Sequence, residues 1–268
     1  MRLEEKFKEL KERKEKGLIG FVTAGYPTAE DTREIARAMV KGGVDILELG
    51  LPFSDPIADG VTIQRASERS LEAGMNTDAY FEVAAGIKGV EKVWLPYYNL
   101  VLQRGLEDFI ADCESAGIKG LVVPDVPVEE SKPLLRICDR HETDLIFLIA
   151  PTTTEKRMAR ILDVASGFVY VVSLLGVTGA REHISDAIHP LIRRIRAVKT
   201  SVSVPLAVGF GISKPEHVRA VCEVADGAIV GSAFIRLIEK GLKSKSKASV
   251  LREIEEYTRS LKTGTKIV

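Results

Sequence analysis

The feature that most constrains this chain is an alternation repeated eight times. A short, continuously apolar run is followed each time by a stretch whose apolar residues recur at helical spacing. The runs are LIGFVTAG (18–25), DILELGLP (45–52), KVWLPYYNLVL (92–102), KGLVVPDV (119–126), DLIFLIA (144–150), FVYVVSLL (168–175), PLAVGFG (205–211) and GAIVGS (227–232). Strands apolar on both faces belong to a parallel sheet covered on both sides, and each parallel pairing needs a crossover helix. Eight such units in 268 residues predict an α/β fold, a (β/α)8 TIM barrel forming one domain over residues 1–268. After the eighth run the pattern predicts a short turn, then a helix over 249–262. The charged segment MRLEEKFKELKERKEKG (1–17) predicts an extra N-terminal helix that plugs the bottom of the barrel. Gly42–Gly43, Gly74 and Gly117 sit where helices should end in a left-handed residue.

Composition excludes several classes of partner. Lys plus Arg and Asp plus Glu number 38 each, so the net charge is zero and no nucleic-acid partner is expected. No apolar run is long enough to span a bilayer, and the charged N-terminus lacks a signal core, so the expected location is the cytoplasm, away from membranes. Cys113, Cys138 and Cys222 are odd in number and widely spaced, which gives neither a disulfide framework nor a metal site; they read as small buried hydrophobes.

In a barrel of this type chemistry belongs at the C-terminal ends of the strands. The second strand ends in ELGLPFSDPIADG (48–60), which carries three acids. Side chains alternate along a strand, so Glu48 shares a face with Ile46, opposite Leu47 and Leu49. If that face is the lumen, burial raises the carboxyl toward neutrality and equips it to give and take protons. The alternative is a structural carboxylate bonded to neighbouring backbone. Asp55 fits a turn cap equally well, and Asp59 or Thr62 could cap the helix that follows.

Glycine-bearing turns follow strands six, seven and eight: SLLGVTGAR (173–181), GFGISKPE (209–216) and VGSAF (230–234). Glycines let backbone N–H groups approach an anion, and a helix N-terminus favours its charge. Gly211, Gly231 and Ser232 are therefore candidate phosphate contacts, with Ser213 expected as the N-cap of the seventh helix and Pro215 in its first turn. Phe21, Leu95, Val122, Ile149 and Tyr170 are candidates for an apolar pocket of aromatic size.

These motifs resemble those of the tryptophan synthase α subunit family. The resemblance is carried, in that family's order, by GFVTAGYP (20–27), LELGLPFSDPIADGVTIQ (47–64), VPDVPVEES (123–131), LLGVTGA (174–180), GFGIS (209–213) and GSA (231–233). It implies a lyase that cleaves indole-3-glycerol phosphate to indole and glyceraldehyde 3-phosphate by a retro-aldol reaction, with no metal or organic cofactor in this chain. It implies Glu48 as the acid-base, Asp59 as acceptor of the indole N–H, and Tyr170 beside the site. It implies Gly179, Gly211, Gly231 and Ser232 at the phosphate, and Thr178 meeting Asp59 on closure. It implies a pyridoxal-phosphate β subunit as partner, in an αββα heterotetramer. Leu174–Leu175 departs from the polar residues the family carries there. A ring-closing synthase of the same barrel class would need a lysine at a strand's rim end, and these ends show none.

Overall fold

The computed structural model describes residues 2–172, 184–200, 203–209, 211–244 and 246–267. The strands are β1 (Gly17–Thr23), β2 (Ile46–Gly50), β3 (Glu91–Leu95), β4 (Ile118–Val122), β5 (Asp144–Ile146), β6 (Leu148–Ile149), β7 (Val169–Val172), β8 (Leu206–Gly209) and β9 (Gly227–Val230). All of the pairings between them are parallel, in the order β5-β4-β3-β2-β1-β9-β8-β7-β6. The two ends of that order, β5 and β6, are one chain segment interrupted at Phe147. The sheet therefore closes into the expected eight-stranded barrel, its fifth strand split so that one half pairs with β4 and the other with β7.

Two apolar layers follow from strand alternation. Ile19, Ile46, Val93, Val122, Ile146, Tyr170, Ala207 and Ile229 fill the lumen. Leu18, Leu47, Leu49, Leu121, Leu145, Val171 and Val208 face the helices. The N-terminal helix, Leu3–Glu12, sends Leu3 and Phe7 into the luminal cluster. A Cβ at Gly17 or Gly227, the first residues of β1 and β9, would lie 3.1 or 3.4 Å from the Phe7 ring, so this helix does plug the bottom. Gly43, Gly74 and Gly117 have φ of +100°, +89° and +72°, the left-handed terminations expected of them.

Two boundaries differ from expectation. KVWLPYYNLVL is a strand only to Leu95; from Tyr98 to Arg104 it is a helix, because Pro96 cannot donate to the ladder. The stretch after β9 is a 13-residue helix, Ser232–Ser244, rather than a turn, and it precedes the expected last helix, Lys247–Lys262. Gly241 lies inside it where the Val250 side chain approaches: a Cβ there would meet Val250 at 2.7 Å. It marks close helix packing, not a break.

Candidate active site

A cavity of about 850 Å³, counted to its open mouth, lies at the C-terminal ends of the strands. Phe21, Leu95, Val122 and Tyr170 line it, as expected, together with Glu48, Asp59, Gly211, Gly231 and Ser232. Ile149 does not. It packs in the layer between barrel and helices, and Leu148 lines the cavity instead. The reason is parity: Ile146 and Leu148 point into the lumen, so Phe147 and Ile149 must point out. Thr178 and Gly179 lie outside the described residues.

Glu48 occupies the middle of β2, opposite Phe21 on β1 and Val93 on β3. It is 1% exposed, and its Oε1 has no hydrogen-bond partner. Burial, and secondarily the Asp59 charge, push its pKa up to about 8. Asp59 sits on the loop beyond β2. Neither it nor Thr62 caps the helix Val61–Glu72, which starts at Gly60 without a side-chain cap. Its carboxylate Oδ2 instead accepts a 3.3 Å hydrogen bond from the Tyr97 hydroxyl. Burial raises Asp59 to about 6, with the Tyr97 bond working in the opposite direction. Both acids are raised, Glu48 further than Asp59, so Asp59 gives up its proton first as pH rises.

The walls are shaped by absent side chains. A Cβ at Gly50 would come within 2.6 Å of the Phe21 ring, and one at Gly209 within 2.6 Å of the Tyr170 ring. These two strand glycines let both aromatics lie close to the barrel wall. On the far side, Gly211 holds φ +77° in the turn after β8, and the helix Ser232–Ser244 begins at the cavity. The positive end of that helix's dipole therefore lies at the cavity, the arrangement that favours a phosphate. No lysine or arginine lines the cavity among the described residues. Arg236, one turn along, reaches back and donates to Ser232 Oγ at 3.0 Å.

Three features escaped the reading of the sequence. Tyr97 was hidden in a run that looks like a strand. Arg236 lay in a helix that looked like a turn. Ser213 is not a cap: Lys214 holds that position, and Ser213 donates its N–H to His217 Nδ1 at 3.3 Å. The one signal that could have marked Tyr97 is Pro96, which ends a strand.

A family model described as tryptophan synthase alpha chain matches residues 7–266. The tryptophan synthase alpha chain of Methanosarcina barkeri is 49% identical over 267 residues, spanning 99% of this chain and 97% of that one. That of Methanocaldococcus jannaschii is 47% identical over 246 residues, spanning 90% and 86%. Among solved structures, Mycobacterium tuberculosis tryptophan synthase superposes with a TM-score of 0.89 at 33% identity, covering 100% of this chain and 99% of that one. Tryptophan synthase subunit alpha from Legionella pneumophila gives 0.87 at 32% identity, covering 98% and 97%.

Proposed function

The chain belongs to the tryptophan synthase alpha chain family, lyases that cleave indole-3-glycerol phosphate in tryptophan biosynthesis, and from that premise we propose how its residues divide the reaction. Indole is a poor leaving group as a carbanion. Glu48 protonates C3 of the ring, which converts the indole to an electron-poor indolenine. The same carboxylate then removes the proton from the glycerol hydroxyl as the carbon–carbon bond breaks. Asp59 accepts the ring N–H and stabilises the positive charge that grows on nitrogen, an interaction stronger in the transition state than before it. Phe21, Leu95, Val122, Leu148 and Tyr170 hold the flat ring, and Thr178 meets Asp59 when the site closes. Gly179, Gly211, Gly231 and Ser232 hold the phosphate, so that the reacting carbons stay aligned.

One observation carries this reading. A buried carboxyl with an oxygen that nothing satisfies points into a cavity that also holds a second carboxylate and a helix N-terminus. A structural acid usually finds partners, as Asp144 does in the Leu3 N–H and the Arg2 guanidinium. A single positioned acid-base contributes about 10²–10⁴-fold. Glu48→Gln should therefore retain substrate binding and lose at least about 10³-fold in turnover, assayed as indole released. Near-normal turnover would overturn the assignment.

The reading extends to a β subunit that carries pyridoxal phosphate, an αββα assembly, no cofactor of this chain's own, and a cytoplasmic location. No helix among the described residues is long and apolar enough to cross a membrane. Adding a tryptophan synthase β chain should accelerate indole release, and an unchanged rate would count against the partnership.

A further inference from the structure

We infer that Tyr97 is a positioning residue for the cleavage, its hydroxyl locking the loop that carries Asp59 and committing one oxygen of that carboxylate so that the other faces the ring nitrogen. The inference rests on the role proposed for Asp59 and deepens it.

The geometry is specific. A phenol has one proton to give and lone pairs to accept with. The Tyr97 hydroxyl accepts the Ala58 N–H at 2.9 Å and gives its proton to Asp59 Oδ2 at 3.3 Å. Both neighbours lie on one short segment, so a single oxygen fixes the backbone and the carboxylate of the loop together. Tyr97 is held in turn. Its ring is 1% exposed and stacks on Phe53, with centroids 4.9 Å apart and planes inclined by 22°. Phe53 belongs to the loop after β2 and Tyr97 to the segment after β3, so the stack ties two neighbouring strand ends to each other. The hydrogen bond engages Oδ2 and leaves Oδ1 for a donor in the cavity.

The same bond selects a protonation state. A hydroxyl that has spent its acceptor on an amide and offers only its proton favours a carboxylate over a carboxylic acid. The other groups facing Asp59 work against ionisation or are neutral: burial itself, Glu48 from β2, and Tyr170 from β7, whose phenol is pushed up by burial and by both acids. Asp125, on the loop after β4, faces Tyr97 and raises its phenol further, after burial and Asp59. Tyr97 therefore stays a protonated donor throughout the working range.

The test uses the full chain with indole-3-glycerol phosphate. Tyr97→Phe removes one oxygen and keeps the stacked ring. We expect turnover to fall roughly tenfold, the usual effect of losing a hydrogen bond to a charged group. We also expect the acid limb of the kcat/KM profile, set by Asp59 near pH 6, to move up by about one unit, while the basic limb near pH 8 stays in place. Carbon-13 titration of labelled aspartate in the free protein should show the same upward movement for Asp59. An unmoved acid limb with an unmoved titration would overturn the inference. A double-mutant cycle separates the two levels. If Asp59→Asn leaves turnover intact, the role of Asp59 itself is wrong. If Asp59→Asn is costly and Tyr97→Phe costs the same fold in that background as in the parent, Tyr97 does not act through Asp59.

Discussion

The two ends of the barrel bury charge in opposite ways. At the bottom, the buried charges of Lys92, Asp45 and Asp144 meet donors, acceptors or opposite charge, although Asp144 Oδ1 has only the Arg2 guanidinium, at 3.6 Å. Lys92, 3% exposed at the start of β3, gives its three ammonium protons to the carbonyls of Ala84, Ile87 and Ala116 at 2.6, 3.1 and 2.5 Å. These lie at the C-terminal ends of two helices, Thr77–Ala85 and Leu106–Ser115, where a cation also complements the helix dipoles. Asp45 accepts the Leu18 N–H at 2.8 Å and pairs with Lys262 at 2.7 Å, which in turn meets Glu15 at 3.0 Å. At the mouth, Glu48 is as deeply buried and one of its oxygens has no partner. Charge at the bottom is used to hold helices and termini in place. Charge at the mouth is kept poorly solvated and ready to change.

The contrast can be broken most severely at Lys92. Lys92→Met leaves three buried carbonyls without a donor, and unfolding free energy should drop by about 3–5 kcal/mol in chemical denaturation. Activity of the folded fraction should survive, because the lumen above is untouched. A loss of less than about 1 kcal/mol would mean that the bottom tolerates unsatisfied groups as the mouth does.

The opposite sign is expected at the mouth. Glu48 is raised in the fold from 4.5 to about 8, so between those values the native state keeps a proton that the unfolded chain has released. Stability therefore falls as pH rises through that window. Glu48→Gln abolishes this fall. The variant should be more stable than the parent by about 2–4 kcal/mol at pH 9, with the gain disappearing below about pH 4. A Tm difference that does not vary with pH would refute it. The smallest effect should come from Lys262→Met. This pair is partly exposed, Asp45 keeps its backbone donor, and the expected cost is about 1–2 kcal/mol by thermal melting.

The same contrast explains what was legible in the sequence. Eight apolar runs with intervening helical periods identified the barrel, and Glu48 stood out because an acid inside an apolar run is costly. Parity was readable in DILELGLP, where the acid itself marks a face. It was not readable in DLIFLIA, apolar at every position from Leu145 to Ala150, and there Ile149 was assigned to the wrong side. Tyr97 was obscured because a helix beginning at Tyr98 continues the apolar character of β3, and only Pro96 separates them. The helix Ser232–Ser244 was obscured by Gly241, whose role depends on a neighbour, Val250, that local sequence cannot place. Contacts fixed by strand period could be read in advance. Contacts made across the fold could not.

The plug helix has a practical corollary. Leu3 donates its N–H to Asp144 at the base of β5, and at the other end of the chain Ile267 donates to the carbonyl of Lys14. Leu3 and Ile267 therefore both lie at the underside of the molecule. An affinity tag or a surface tether joined at either one would orient the reaction chamber outward, toward incoming reagent and away from the support.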